Sequence, residues 1–281
     1  MALSARDLDP AADVRRRPAV SLVPRMVPRL GDYWATVYRR TWRGSVITSF
    51  LMPFLYLAAM GVGLGGFVDA NAGSEQLGGI DYLDFIAPGL LATTAMMTGV
   101  FESTWPVMGG FKWHRTFYSM AASPLRTADI VAGQVAFTAF RIGLCCGVFV
   151  AIMTLFGAVG SWWGGLLALA VVVLLGLAYT TPTIALTSRM RDEGGFSLIF
   201  RLGLMPMFLF SGAFFPVSQL PDGVAWAAYV TPVWHGVEST RMLTTGAVDG
   251  LPIVGHLSYL LLWAGVGWYY SVTGFAKRLE R

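Results

Sequence analysis

The sequence predicts an all-α integral membrane protein with six transmembrane helices. Of its 281 residues, 55% are hydrophobic and only 13% are charged, and the mean hydropathy is +0.60. Several apolar runs are about 20 residues long, which is enough to cross a ~30 Å hydrocarbon core. Soluble domains carry about 25% charged residues, so this composition excludes a large soluble domain. The basic residues are dispersed among the apolar runs, and we therefore expect no nucleic-acid partner.

The amino-terminal region divides into two segments. Residues 1–28 carry five arginines and four prolines without apolar periodicity, which predicts a disordered cytoplasmic tail. Residues 29–43 predict a helix that lies in the headgroup layer; the alternative is a solvated start of the first span. The apolar residues at helical spacing in this segment are Leu30, Tyr33, Trp34, Val37 and Thr41. The first long apolar run begins near residue 45, too late for a cleaved signal peptide.

The membrane-embedded region is expected over residues 44–275. Its six predicted spans are residues 45–67, 85–108, 131–158, 164–187, 196–216 and 253–275, with a tail over 276–281. Glycines near residue 63 match the dinucleotide fingerprint GxGxxG. The match is excluded because the fingerprint follows a strand and opens a helix, whereas here it closes a membrane helix.

Basic residues set the orientation, because lysine and arginine accumulate on the cytoplasmic side. Nine lie before the first span, three between spans two and three, two between spans four and five, and three in the carboxyl-terminal tail. The opposite side holds only Arg241. This asymmetry predicts that both termini are cytoplasmic.

Three ionisable residues are predicted within spans, where each is costly and usually has a role. Glu102 lies about two turns from the cytoplasmic end of the second span, and Arg141 about three turns into the third. Adjacent antiparallel helices bring these two within reach of an ion pair; the alternative is that each faces a wet cavity or extends to the interface alone. Arg201 is predicted to extend to the cytoplasmic face.

The loop between spans two and three combines basic and aromatic residues. On a helix over residues 111–122, Trp113, Phe117 and Met120 fall on one face, with Lys112 and Arg115 beside it. This loop is predicted to be cytoplasmic. An apolar face with charged residues beside it predicts a surface on which another protein docks.

Motifs for chemistry are sparse in this chain. The three histidines show no metal-ligand spacing, so we expect no metal site. A membrane hydrolase would need a serine and a histidine together, and Ser211 with His235 is the pair to test. A Walker A loop needs Gly-Lys, but the only two lysines, Lys112 and Lys277, follow Phe111 and Ala276. We expect no cofactor in this chain, and any ATP-driven work requires another polypeptide to bind ATP. The adjacent cysteines at 145 and 146 are expected to be buried apolar residues.

Two stretches resemble the membrane subunits of type-2 ABC exporters, in the branch that includes drug-resistance permeases and the nodulation lipo-oligosaccharide export permease. The first is FIAPGLLATTAMMTGVFESTW at 85–105, followed by the basic loop and SPLRTADIVAGQ at 123–134. The second is FLFSGAFFPVSQLPDGVAWAAYVTPVWHGVESTRML at 208–243. With the six-span layout, the resemblance covers nearly the whole chain after residue 28. It is specific for the family and says little about the substrate.

The resemblance implies two such permease subunits, copies or homologues, resting on two cytoplasmic ABC ATPase subunits that bind ATP and Mg. Residues 30–43 then correspond to the connecting helix, 109–122 to the coupling helix, and 216–246 to short re-entrant external helices before the last span. Family members often have a glutamate at the start of the coupling segment, and this chain departs from that pattern. The implied ATPase-coupling residues are Lys112, Trp113, His114, Arg115, Phe117, Tyr118, Met120, Ser123 and Pro124.

The function implied is outward transport of an amphiphilic cargo, such as a drug, a lipid or a lipid-linked glycan, across the plasma membrane and in contact with its lipids. The alternatives are an ion-coupled secondary transporter and, less favoured, a membrane-embedded hydrolase or acyltransferase. Candidate residues for the cargo path are Phe50, Met52, Met96, Met97, Phe101, Phe208 and Phe214.

Overall fold

The computed structural model describes residues 24, 31, 33–36, 38–39, 51, 54–66 and 79–280. Over these residues the secondary structure is helical and contains no strand, so the predicted all-α class is confirmed for this part of the chain. We number seven helices in chain order. They are α1 (Tyr82–Lys112), α2 (Thr116–Ala121), α3 (Thr127–Leu155), α4 (Trp162–Arg189), α5 (Asp222–Val230), α6 (Pro232–Thr245) and α7 (Gly250–Leu279).

Helices α1 and α4 form the centre of the bundle. The most apolar stretch of α1 is 72% buried and that of α4 is 61% buried, against 28% for α3 and 11% for α7. Helix α4 packs along α1, α3, α6 and α7. The outer helices therefore leave broad apolar faces on the surface, as expected for helices that contact lipid.

Small residues allow the central helices to approach closely. A methyl group on Gly99 of α1 would lie 2.6 Å from the carbonyl oxygen of Gly176 in α4. Hydroxyl groups join the same helices, because Thr187 donates to the carbonyl of Ser103 at 2.9 Å. Close backbone approach and interhelical hydrogen bonds replace the hydrophobic effect, which is weak between helices surrounded by lipid.

Local sequence explains several helix ends. At the start of α3, the Asp129 carboxylate accepts a hydrogen bond from the backbone N–H of Arg126 at 2.9 Å. At the start of α4, the Ser161 hydroxyl accepts from the N–H of Gly164 at 3.1 Å. Helix α6 ends at Gly246, whose φ of 79° is accessible to glycine at little cost.

Four helices in the described part, α1, α3, α4 and α7, are long and apolar enough to cross a membrane. They correspond to the predicted second, third, fourth and sixth spans. The first predicted span, 45–67, lies partly outside the described residues; its described part includes the π-helix Ala58–Gly65. The count of six spans therefore stays a prediction.

The predicted fifth span, 196–216, is not one continuous helix. The chain forms a 3₁₀ turn, a single α turn, a π-helix and another short α-helix in succession, and then leaves helical geometry. Gly203 and Pro206 lie in this region, and both residue types weaken a continuous α-helix. Whether this segment crosses the membrane as the fifth span stays a prediction. The segments are Glu193–Gly195, Phe196–Leu198, Ile199–Leu204 and Met205–Leu209.

The remaining boundaries differ modestly from expectation. Two short helices, α5 and α6, lie where a pair of external helices is expected. Helix α7 continues to Leu279, beyond the predicted end at 275. The described positions between 31 and 39 are helical, as predicted for the segment 29–43, while the predicted tail over 1–28 lies outside the described residues except for Pro24.

Candidate functional site

The turn that joins α1 to α3 is the candidate site. Helix α1 ends at Lys112, the chain turns through residues 113–115, and the six-residue helix α2 follows. Arg115 has φ 52°, the left-handed region that non-glycine residues rarely adopt. The predicted continuous helix over 111–122 is therefore wrong. The chain reverses at this point, and the ring of Phe117 packs against Gly110, where a larger residue would clash.

The predicted docking face of Trp113, Phe117 and Met120 does not exist as one surface. Phe117 is only 3% exposed, and its ring centroid lies 4.8 Å from that of Phe111 and 5.1 Å from that of Phe275. Met120 is half-buried against the same cluster. Phe117 thus packs inward onto α1 and α7, because the break at residues 113–115 rotates α2 relative to the helix that the periodicity assumed.

A different set of predicted residues forms the exposed surface of the turn. Trp113 is 50% exposed and Tyr118 is 38% exposed. Ser123 is half-buried and donates a hydrogen bond to the carbonyl of Met120 at 2.6 Å, which closes the turn before α3. The other exposed members of the predicted set are Lys112, His114, Arg115 and Pro124.

Lys112 connects this surface to the loop after α4. Its Nζ lies 2.6 Å from Oε2 of Glu193, in the loop after α4. The hydrogen bond from Lys112 lowers the pKa of the Glu193 carboxyl. Both side chains are exposed enough that water screens the pair, so it sets geometry more than stability.

Arg278 supports the turn from the inside. Its guanidinium carbon lies 4.2 Å from the ring centroid of Phe111, and its Nη1 donates to the carbonyl of Thr187 at 2.9 Å. The carboxyl end of α7 is therefore joined to α1 and to the end of α4. The exposed turn therefore rests on a packed core of aromatic side chains and Arg278.

Glu102 and Arg141 meet in the structure. The carboxylate oxygen Oε1 of Glu102 lies 3.1 Å from both Nε and Nη2 of Arg141. Gln134 donates to the backbone carbonyl of Glu102 at 3.3 Å, and the Arg141 guanidinium carbon lies 5.7 Å from the ring centroid of Tyr38. The pair joins α1 to α3 above the turn. Arg201 lies apart, exposed on the π-helix of the broken segment.

The described residues that were predicted for the cargo path differ in their burial. Met96 is fully buried between helices and packs in the core, so it does not line a path in this conformation. Phe101 is 52% exposed. Phe208 and Phe214 are half-buried and contact each other edge to face with centroids 5.0 Å apart, and Met97 is half-buried near the core. Phe50 and Met52 lie outside the described residues.

The Ser211 and His235 pair proposed for a hydrolase does not assemble. The Ser211 hydroxyl donates to the carbonyl of Phe208 at 2.9 Å and accepts from the N–H of Ala213 at 3.2 Å. His235 instead faces His256, with their Nδ1 atoms 2.7 Å apart. Burial lowers the pKa of His235 to about 4, so the ring is neutral at pH 7 and one imidazole can donate to the other.

Sequence reasoning missed the role of Arg241, which it treated only as a charge outside the membrane. Its Nη1 lies 2.6 Å from the Glu238 carboxylate, and its Nη2 donates to the carbonyl of Gly212 at 2.7 Å. The guanidinium carbon lies 3.9 Å from the ring centroid of Phe85. Arg241 therefore joins α6, the end of the broken segment and the start of α1. The i, i+3 spacing to Glu238 was the available signal.

Comparison with known proteins places these features in a family. Residues 33–244 match the family described as ABC-2 type transporter. The chain is 30% identical over 257 residues to Nodulation protein J of Rhizobium leguminosarum bv. trifolii, covering 88% of this chain and 94% of that protein.

Two further relatives carry the same name. Nodulation protein J of Sinorhizobium fredii (strain NBRC 101917 / NGR234) is 31% identical over 253 residues, covering 88% of this chain and 94% of that protein. The corresponding protein of Rhizobium meliloti (strain 1021) is 29% identical over 262 residues, covering 90% and 96%. The matched region includes the turn between α1 and α3, the ion pair of Glu102 with Arg141, and the two short helices before α7. The chain belongs to the ABC-2 type transporter family, as a membrane subunit without an ATP-binding domain of its own.

Proposed function

We propose that the chain is the permease subunit of an ATP-driven exporter in the plasma membrane, with six spans and both termini in the cytoplasm. A second permease subunit and two separate ATPase subunits complete the transporter. Membership of the ABC-2 family supports a transport subunit that depends on a partner for ATP. The 17 cytoplasmic basic residues against one outside support the orientation. Helices α5 and α6 are assigned to the external side, where they enter the outer leaflet.

The observation that carries the proposal is the exposed surface on the turn between α1 and α3. Two exposed aromatic side chains, Trp113 and Tyr118, lie among the cations Lys112 and Arg115. Aromatic anchors surrounded by polar residues are typical of protein-binding hot spots. The surface is on the side that the basic residues assign to the cytoplasm, where an ATPase subunit would dock.

The core beneath that surface supports a mechanism in which movement of the turn is transmitted to the membrane helices. Phe117 joins α2 to Phe111 on α1 and to Phe275 on α7. A displacement of the turn by closing ATPase subunits would therefore move α7 together with α1 and α3. We expect the change in orientation of these helices to open a path between the two permease subunits.

The proposed cargo is amphiphilic, with an apolar part that enters the membrane. The family resemblance supports a drug, a lipid or a lipid-linked glycan. Exposed Phe101 and the half-buried residues Met97, Phe208 and Phe214 are the remaining described candidates for the path. An ion-coupled mechanism gains no support from Glu102, because that carboxylate is paired with Arg141. A hydrolase gains none from Ser211, whose hydroxyl bonds the local backbone.

The test is retention of the ATPase subunit by the purified chain. Trp113→Ala is expected to reduce retention about 30-fold, because truncating a central aromatic anchor costs ~2 kcal/mol or more. The matched control is Trp162→Ala, which removes another exposed tryptophan, at the opposite end of the bundle. Co-purification and substrate-stimulated ATP hydrolysis of the complex are measured together. Unchanged retention and hydrolysis in Trp113→Ala would remove this surface as the docking site.

A further inference from the structure

We propose that the groove between the amino-terminal helical segment and α3 binds an acyl chain of an anionic phospholipid from the cytoplasmic leaflet. In this site Arg39 faces the phosphate of the headgroup. The inference rests on the proposed orientation of the chain but needs neither the ATPase subunits nor transport. It adds a specific lipid-binding site to a segment that the sequence predicted only to lie in the headgroup layer.

The groove has the size and lining of a ligand site. Its volume is about 480 Å³, within the ~300–1,000 Å³ that is common for small-molecule sites. Its lining is almost entirely apolar, and Arg39 is the one charged residue among the lining residues in the described part of the chain. They are Gly31, Trp34, Ala35, Tyr38, Arg39, Gly133, Ala136, Phe137 and Phe140.

Aromatic contacts join the two walls of the groove, which are the amino-terminal helical segment and α3. Trp34 stacks on Phe137 with ring centroids 4.4 Å apart and planes inclined by 19°. Tyr38 meets Phe140 edge to face at 5.3 Å. Apart from these aromatic residues and Arg39, the lining consists of glycine and alanine, whose small side chains leave space in the groove. A flexible apolar chain fits such a gap without displacing either wall.

Charge selects the headgroup. Arg39 is exposed at the groove, whereas the nearby Arg141 is engaged by Glu102 at 3.1 Å. The segment 29–43 contains four arginines and a single aspartate. A basic residue near a membrane surface contributes about fivefold to the binding of an anionic lipid. The groove therefore favours a negatively charged headgroup over a zwitterionic one.

The depth of the groove favours a membrane lipid as its source. A helix that lies in the headgroup layer puts its apolar face at the level of the upper acyl chain. The groove is partly open to the surroundings rather than enclosed, so a chain can enter it from outside the protein. Phe140, one of its lining residues, is exposed and adds to the apolar surface at the groove.

The first experiment measures lipid binding to the purified full-length chain by native mass spectrometry. Dioleoyl phosphatidylglycerol and dioleoyl phosphatidylcholine are titrated separately. The wild type is expected to bind phosphatidylglycerol about fivefold more tightly, and Arg39→Gln is expected to remove that preference without changing phosphatidylcholine binding. Arg189→Gln, which removes another exposed arginine, is the control and should keep the preference. An equal preference in wild type and Arg39→Gln would overturn the headgroup assignment.

The second experiment locates the acyl chain without depending on the arginine. Phosphatidylglycerol with a photoreactive group in the acyl chain is cross-linked to the wild type, and modified peptides are mapped. Enriched labelling of residues 31–39 and 133–140 is expected. Ala136→Phe should fill the groove and reduce this labelling severalfold, whereas Ala151→Phe, at another exposed alanine of α3, should leave it intact.

Labelling spread evenly over the lipid-facing surface of α7, or unaffected by Ala136→Phe, would overturn the site. The proposed function is judged separately, by retention of the ATPase subunit. If the chain binds the lipid but retains no ATPase subunit, the lipid site stands and the proposed function fails. If the chain retains the ATPase subunit but shows no lipid preference, the proposed function stands and the lipid site fails.

Discussion

At the residue scale, burial decides what an aromatic side chain in the turn between α1 and α3 can do. Trp113 and Phe117 are four residues apart and of similar hydrophobicity, yet one is half-exposed and the other is 3% exposed. Helical periodicity assigned them the same role. The left-handed conformation at Arg115 separates them, so that one is available to a partner and the other packs in the core.

Phe117→Ala is therefore expected to destabilise the chain rather than only to release a partner. Removing a buried phenylalanine costs on the order of 3 kcal/mol, because the cavity closes only in part. Thermal unfolding of the purified chain checks this, with Phe101→Ala, at an exposed phenylalanine of α1, as the control that should change little. An unfolding temperature for Phe117→Ala equal to that of the wild type would contradict the buried role.

The ion pair between Glu102 and Arg141 permits an exchange experiment. Neutralising either residue leaves its partner charged, unpaired and largely buried. For a fully buried pair, such a change lowers the free energy of unfolding by about 3–5 kcal/mol. We expect a smaller loss for this pair, because Arg141 is partly exposed. The double exchange Glu102→Arg with Arg141→Glu is expected to recover part of the loss. Unfolding temperatures of both single variants and of the exchange are compared. Strictly additive losses would show that the two charges do not stabilise each other.

At the element scale, the helices pack through glycines at defined positions rather than through apolar surface alone. On α7, a methyl group at Gly267 would clash with Thr181 and Pro182 of α4, while one at Gly265 would meet open space. The two glycines lie on different faces of one helix. Comparing an alanine substitution at each glycine therefore distinguishes the effect of helix packing from the general effect of glycine on helix stability.

Gly267→Ala is expected to destabilise the bundle by about 1–3 kcal/mol, as overpacking forces the helices apart. Gly265→Ala should be neutral or slightly stabilising, because alanine favours helix by up to ~1 kcal/mol over glycine. Thermal unfolding of the two variants under identical conditions provides the comparison. The same loss in both would mean that α7 does not pack on α4 at Gly267.

At the scale of the whole molecule, the arrangement depends on which side of the membrane each loop occupies. In the proposed transporter, the docking surface faces the cytoplasm and the start of α7 faces the outside. Both Ser119 and Asp249 are exposed, so each can report its side of the membrane once replaced by cysteine.

With Cys145 and Cys146 replaced by alanine, an impermeant thiol reagent added to intact cells is expected to label Asp249→Cys and not Ser119→Cys, in accordance with the charge asymmetry. Permeabilised cells provide the control, in which both positions should react. Labelling of Ser119→Cys in intact cells would invert the topology and exclude an ATPase from the turn.

The sequence by itself determined the class of the molecule and much of its order along the chain. Apolar runs of sufficient length predict spans because hydrocarbon cannot satisfy a free backbone, and four of them are the helices α1, α3, α4 and α7. The approach of Glu102 to Arg141 was also foreseeable, since consecutive spans are usually neighbours and each charge needs a partner.

Only the tertiary structure decided which residues of an apolar pattern face inward. Lipid and protein interior are both apolar, so periodicity cannot distinguish Met96 in the core from Phe101 on the surface. The inward turn of Phe117 depends on Phe275, more than 150 residues away in the chain, and the contacts of Arg241 and of His235 with His256 likewise join separate elements. These features arise from contacts between distant segments, whereas the sequence pattern reports only the local preference of each segment.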